Sequence, residues 1–299
     1  MEIKHMIYFI EIVKTGSMTK AAEKLFISQP TISKLLRDLE AELGVELFDR
    51  HKRQMVLTDA GKAFLQQAKE IVRLYENLPT EMNNLLGIRQ GHIKIGLPPI
   101  MNVRLFIHAL GEFHESYPDI SFELLENGSK RIEESIINDE VDVGITVLPT
   151  DTETFHQFFL LEEQLKLVIP RSHKFAGRER IKLIELKEDH FILFSEDFIL
   201  NDRITEACKT AGFIPDVVAE SSQWNFIEQM ISASLGVSIL PESIIDMLKE
   251  DVVSVEIEDP SILWQLAIIW KKNSYISYVT KEWLKFMQEQ LMFLRGNIN

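Results

Sequence analysis

The sequence predicts an α/β chain in two parts: a small winged helix-turn-helix domain followed, after a long linker helix, by a two-lobed α/β domain. Three observations predict it. Residues 17–37, SMTKAAEKLFISQPTISKLLR, read as two short amphipathic helices joined by a tight turn. A longer helix with a seven-residue apolar stripe follows. Beyond residue 90 the pattern changes to strands alternating with helices, which implies mostly parallel sheets with helices on both faces.

Taken in order, residues 2–14 form a first helix with Ile3, Met6, Ile7, Ile10 and Val13 on its core face. Ser17 caps a second, Met18 to Leu25, because its oxygen accepts an otherwise orphan N–H of the first turn. Ala21, Ala22 and Leu25 face inward. Ser28 opens a third helix as its N-cap, and Pro30 falls in the first turn, where its missing N–H costs little. Ile32, Leu35, Leu36 and Leu39 are its buried stripe, and Gly44 suits its C-terminal cap. The front of this helix keeps Ser28, Gln29, Pro30, Thr31, Ser33, Lys34 and Arg37: small hydrogen-bonding groups followed by two cations. A helix of that kind enters a DNA major groove N terminus first.

Two short strands follow, one at Leu47–Phe48 and one at Met55–Leu57. The turn between them concentrates Arg50, His51, Lys52 and Arg53, a basic tip placed to touch a flanking phosphate or the minor groove. Thr58 caps the long helix, in which Phe64, Ala68, Ile71, Tyr75 and Leu78 recur at heptad spacing, extended by Met82 and Leu85. Such a stripe has nothing in so small a domain to pack on, and a second copy of the chain is its natural cover. Pro79 lies inside the stripe and is expected to kink or end the helix, at a cost of about 3 kcal/mol.

Residues 1–60 resemble the winged helix-turn-helix of the LysR-type transcriptional regulators, over FIEIVKTGSMTKAAEKLFISQPTISKLLRDLEAELGVELFDR and then LTDAG. One departure is Lys34, where that family most often has Arg; Lys keeps the charge and loses the bidentate fork that suits guanine. The remainder resembles the same family's effector domain, which is periplasmic-binding-protein-like. The resemblance thus implies a winged helix-turn-helix at 1–60, a linker and dimerisation helix at 61–90, and an effector-binding domain at 91–299. Lobe I would comprise about 91–161 and 268–299, and lobe II about 162–267, with crossings near 160–164 and 264–270. The segments GLPP, DVGITVLP, EDFILNDRI, ACKTAGFIP and SSQWNFIEQM look most like the CidR branch. That branch implies an activator responding to acetate- or pyruvate-like carboxylates and controlling holin-like and overflow-metabolism operons. The family also implies a double-stranded operator with dyad symmetry, RNA polymerase as a partner, and a homodimer or homotetramer.

Ligands of doubly wound sheets bind at the carboxyl ends of strands. That rule selects Pro99, Ile100 and Met101 after the first strand, Ser129 after the second, Thr146 after the third, and Phe198, Ser222, Gln223 and Trp224 in the other lobe. Helix starts at these ends favour an anion by ~0.3–1 kcal/mol each. Each residue also has a structural alternative: Ser129 as a helix cap, Phe198 and Trp224 as lobe core.

Charge is divided unevenly. Of the formal net charge of −14, residues 1–90 carry 13 Lys+Arg against 12 Asp+Glu, while residues 91–299 carry 19 against 34. The acidic part is repelled from phosphates, so DNA binding must rest on local cations and be sensitive to salt. Cys208 is the one cysteine, which excludes an internal disulfide and a cysteine metal cluster; it falls on the packed face of its helix. No metal, cofactor or catalytic residue is expected: the eight His make no HExxH, and neither phosphate-loop pattern occurs. The start MEIKHMIYFIEIV is amphipathic and unlike a secretory leader, and no apolar run approaches the ~20 residues of a membrane helix, so a cytoplasmic protein is expected. The rival readings are a cytosolic small-molecule-binding protein and an α/β enzyme with an accessory helical domain.

Overall fold

The computed structural model describes residues 1–49, 55–85, 90–99, 103–249 and 251–296. The chain divides into two compact units, Met1–Ile88 and Arg89–Asn299.

Among its described residues the first unit holds four helices: α1 (Ile3–Thr15), α2 (Met18–Lys24), α3 (Gln29–Leu43) and α4 (Asp59–Leu85). Its core gathers Phe9, Ile12, Ala21, Ala22, Ile32, Leu36, Leu39, Leu47 and Phe48. Phe9 is the hub, 1% exposed, with its ring 5.4 Å from Phe48 and 5.0 Å from Phe64. Burying a side chain of this size contributes about 1.5–3 kcal/mol. The expected core face of α1 needs correction here. Phe9 and Ile12 meet α2 and α3, whereas Met6 is buried with Ala68 and Val72 of α4, and Ile3, Ile7 and Ile10 pack beside them. The first helix is apolar on two sides because it is covered by two partners.

That arrangement also divides the stripe on α4. Phe64, Ala68 and Val72 find cover within the unit. Ile71, Leu74, Tyr75, Leu78 and Met82 remain exposed. The helix continues through Pro79 to Leu85 rather than ending there.

The second unit contains strands β1 (Gly91–Leu97), β2 (Ile120–Glu126), β3 (Val143–Val147), β4 (Phe155–Pro170), β5 (Arg180–Lys182), β6 (His190–Phe194), β7 (Asp216–Ser221), β8 (Ser238–Pro241), β9 (Val252–Asp259) and β10 (Leu263–Lys271). Its helices are α5 (Val103–Ser116), α6 (Ser129–Ile137), α7 (Ile199–Thr210), α8 (Trp224–Ser232), α9 (Glu242–Ile245) and α10 (Tyr278–Gly296). The main sheet runs β2-β1-β3-β10-β4-β9-β5, with β8 also on β4. β1 pairs in parallel with β2 and β3; β10 runs antiparallel between β3 and β4.

Two lobes follow from the length of β4. Its first part, 155–164, pairs with β10, and its second, 165–170, pairs with β8 and β9. The chain returns through residues 260–262, between β9 and β10, a few residues before the expected 264–270. All of β10 therefore lies in the first lobe, including 263–267. All five β3 residues are buried because helices cover both faces there. Phe106, Phe113 and Trp283 belong to one core, and Ile132 and Ile136 of α6 to another with Ala267 and Ile269. In the second lobe, β6 and β7 pair in parallel, and a bridge from Phe191 to Val237 joins them to the start of β8.

Candidate functional site

The front of α3 is built by its first turn. Ser28 is the N-cap: its Oγ accepts the N–H of Thr31 at 3.3 Å and lies 2.7 Å from the Thr31 hydroxyl. Gln29 Nε2 donates to Ser33 Oγ at 2.8 Å, and Ser33 Oγ donates to Met18 Sδ at 3.1 Å, which ties the front of α3 to α2. Arg37 Nε donates to the Ser33 carbonyl at 3.3 Å. Ser28, Gln29, Pro30, Thr31, Lys34 and Arg37 are exposed, and Ser33 is half-buried. Among the described residues neither Lys34 nor Arg37 has a carboxylate partner, in contrast to Lys24, which pairs with Glu11 at 2.8 Å. The turn before α3 passes through Phe26 at φ 55°, with the ring 95% exposed.

Behind α3, Glu40 was missed by sequence reading. It is buried, and its Oε1 accepts the N–H of Leu47 at 2.8 Å and of Phe48 at 3.4 Å. A buried carboxylate is retained where backbone donors satisfy it. These bonds hold the first wing strand against the helix. Phe48 bridges Leu57, and Asp49 N–H donates to the Val56 carbonyl at 2.8 Å. Arg50, Lys52 and Arg53, expected at the wing tip from the sequence, lie outside the described residues.

In the second unit a cleft of about 730 Å³ opens between the lobes. Leu97, Pro99, Glu126, Asn127 and Gly128 line it from one lobe; Asp197, Phe198, Ser222, Gln223, Trp224, Glu228, Met247 and Lys249 are among those lining it from the other. The starts of α6 and α8 both border it. Of the residues selected from sequence, the cleft brings together Pro99, Phe198, Ser222, Gln223 and Trp224. Ile100 and Met101 lie outside the described residues. Phe198 is 1% exposed with its ring 5.0 Å from that of Phe194, so it is lobe core and cleft lining together.

Two selected residues stand elsewhere. Thr146 does not line the cleft: it is fully buried and donates to Glu133 Oε1 at 2.8 Å. Burial pushes the Glu133 carboxyl above the ordinary carboxylate range, with the Thr146 bond opposing and the Asp151 charge adding. Ser129 is not the cap of α6. Gly128 is the N-cap, and Ser129 is the first helical residue, with its Oγ buried and without a hydrogen-bond partner among the described residues.

What occupies the start of α6 is the other lobe. Gly128 N–H donates to Asp197 Oδ2 at 3.2 Å, and Lys130 N–H to the Asp197 carbonyl at 3.2 Å. Lys130 Nζ donates to the Glu196 carbonyl at 2.7 Å and pairs with Asp202 at 2.7 Å. Arg203 reaches the Leu148 carbonyl. The approach requires glycine at 128, since a Cβ there would stand 2.5 Å from Asp197 Oδ2. The acidic lining was not apparent from the strand-end rule: Glu228 lies on α8 one turn beyond Trp224, and its Oε1 accepts the N–H of Lys249. Cys208 is buried in the lobe core, its thiol pushed up to about 12 by burial.

These two features, a helix-turn-helix with an exposed polar front and a two-lobed domain with a cleft, define a DNA-binding regulator with an attached effector-binding domain. Residues 3–62 match the family described as bacterial regulatory helix-turn-helix protein, lysR family, and residues 87–292 match the LysR substrate binding domain. The chain belongs to the LysR family of transcriptional regulators, and it is a regulator rather than an enzyme. It is 44% identical to the uncharacterized HTH-type transcriptional regulator YwbI of Bacillus subtilis over 292 residues, 97% of each chain. It is 30% identical to the transcriptional dual regulator GltC of the same organism over 289 residues, 96% of each. Among solved structures, full-length OxyR from Pseudomonas aeruginosa shares the fold, with a TM-score of 0.71 at 23% identity over 97% of this chain and 94% of that one. No helix among the described residues is long and apolar enough to cross a membrane.

Proposed function

We propose that this LysR-type regulator is a transcription activator whose operator binding is modulated by a small carboxylate of the acetate or pyruvate kind held in the cleft. The observation that carries the DNA reading is the front of α3: exposed Gln29, Thr31, Lys34 and Arg37, the two cations without a carboxylate partner among the described residues. Arg50, Lys52 and Arg53 are assigned to the flanking backbone. The effector reading rests on two helix starts, α6 and α8, bordering one cleft, where N–H groups favour an anion. Ser222 and Gln223 are assigned as hydrogen-bond donors to it, with Pro99, Ile100, Met101, Phe198 and Trp224 as apolar wall; Ser129, buried outside the cleft lining, is left out of the donor set. Thr146, bonded to Glu133, takes no part.

The exposed face of α4, Ile71, Leu74, Tyr75, Leu78 and Met82, supports pairing of two copies in a homodimer or homotetramer acting on an operator with dyad symmetry in the cytoplasm. RNA polymerase is the partner an activator needs. The likeness of several segments to the CidR branch supports holin-like and overflow-metabolism operons as targets. The test is gel retardation of DNA upstream of the chain's own gene at low salt, with and without acetate or pyruvate. Retardation that changes with either ligand supports the whole reading. No retardation by folded protein removes it, and retardation indifferent to both ligands removes the effector.

A further inference from the structure

We infer that Phe26, in the turn of the helix-turn-helix, is a further DNA-contacting residue that packs its ring on the C5 methyl of a thymine and so helps set the sequence the regulator selects. This rests on α3 entering the major groove, and it adds a contact that α3 itself does not supply.

Among the described residues, three helix ends in the first unit pass into the left-handed region. α1 is closed by Gly16 at φ 63° and α3 by Gly44 at φ 70°. α2 ends at Leu25 and passes into Phe26 at φ 55°. The hydrogen bonds there are those of a Schellman ending: the Phe26 N–H donates to the Glu23 carbonyl at 3.2 Å, and the Ile27 N–H to the Ala22 carbonyl at 3.0 Å. Glycine is the residue such a position favours, because a Cβ crowds the neighbouring carbonyl. A bulky aromatic is poorly suited to it, and burial does not offset the strain. The Phe26 ring is 95% exposed, more than any other large apolar side chain among the described residues; Ile214 follows at 76%. A strained, solvated ring adds nothing to the core, and strain of this kind persists where a site uses the side chain.

Its place in the chain identifies the site. Two residues on, Ser28 caps α3, and Gln29, Thr31, Lys34 and Arg37 follow on the exposed front. A helix that enters a major groove N terminus first brings the turn before it to the mouth of the groove. The base edges there are polar except at thymine, which presents its C5 methyl. Along the front of α3 the side chains are polar apart from Pro30, so Phe26 is the large apolar group placed to meet that methyl. Ring on methyl is a contact without charge. It adds affinity and base preference and releases no counterion.

The experiment measures fluorescence anisotropy of the full chain on DNA upstream of its own gene, prepared once with thymine and once with uracil throughout, which lacks the methyl. Phe26→Gly suits the backbone and deletes the ring, and Lys34→Ala is the reference for α3. For Phe26→Gly the expected result is a thermal midpoint no lower than the parent's and affinity for the thymine DNA weaker by about fivefold at an unchanged salt slope. The preference for thymine over uracil DNA should fall by a similar factor. Unchanged affinity in Phe26→Gly while Lys34→Ala binds more weakly overturns the inference and leaves the α3 reading standing. Weaker binding with the parent's thymine preference retained overturns it too, since the ring then does not meet the methyl. So does a salt slope altered by about 1, which is the loss of a phosphate contact. A lowered thermal midpoint makes the ring structural and has the same force. Unchanged binding in both variants removes α3 from the groove, and the inference with it.

Discussion

Two helix starts in this protein carry opposite instructions. At the start of α3, Ser28 caps the first turn and the residues beyond it, Gln29, Thr31 and Lys34, face outward. At the start of α6, glycine stands at the cap position, and an aspartate from the other lobe sits on its amide. Both helices have the polarity that attracts anions at their N termini. The difference lies in who supplies the partner. A local side chain closes α3 and leaves its front available to an external polyanion. A distant side chain closes α6 and makes access conditional on lobe arrangement. An unconditional contact suits DNA recognition, and a conditional one suits the part that senses.

Both helices are anchored by a buried isoleucine. Ile32 on α3 and Ile132 on α6 are both fully buried on the back face. Alanine at either position costs about 2–5 kcal/mol of stability for its own unit, read as a lower urea midpoint. Only the α3 variant should lose the transition assigned to the N-terminal unit first.

A sharper and smaller contrast uses the two serines. Ser28→Ala removes a cap and should cost about 1 kcal/mol. Ser129→Ala removes a buried hydroxyl that lacks a partner, so it should leave stability unchanged or slightly higher. Equal losses at both serines in thermal melts would contradict the different roles assigned to them.

The smallest effect concerns pH. Glu133, one turn into α6, has its carboxyl raised above the ordinary 4.5, mainly by burial. The charged form is therefore disfavoured in the folded state relative to the unfolded one. The penalty is absent below about pH 4.5, where both states are protonated, and is complete once pH exceeds the folded value. Glu133→Gln should stabilise the protein at neutral pH and not in acid. A gain independent of pH would point to packing instead.

Much of this organisation is legible in the chain. Caps and periodicity locate α3 because Ser28, Pro30 and Gly44 act within a few residues of themselves. β4 is legible as one long apolar-rich crossing strand. What escapes is set by distant partners. α1 reads as having one core face, yet Phe9 and Ile12 serve one neighbour and Met6 another. Ser129 has the position of a cap in sequence, but the cap is Gly128 because Asp197 must come close. Thr146 ends a strand as the binding-site rule asks, and points its hydroxyl to Glu133. Pro79 reads as a kink or an end, and of the two the end does not occur: the helix passes it. The small β5 strand, Arg180–Lys182, is too short to carry a pattern and exists through its pairing with β9.

Whether the front of α3 is open to DNA is read from the salt dependence of binding to DNA upstream of the chain's own gene. Fluorescence anisotropy of the parent and of Lys34→Ala across a salt series gives the affinity and its slope. The expected result for Lys34→Ala is weaker binding at every salt concentration and a slope smaller in magnitude by about 1, the loss of one phosphate neutralised per bound copy. Unchanged affinity and slope in Lys34→Ala, with the fold intact by circular dichroism, would contradict it.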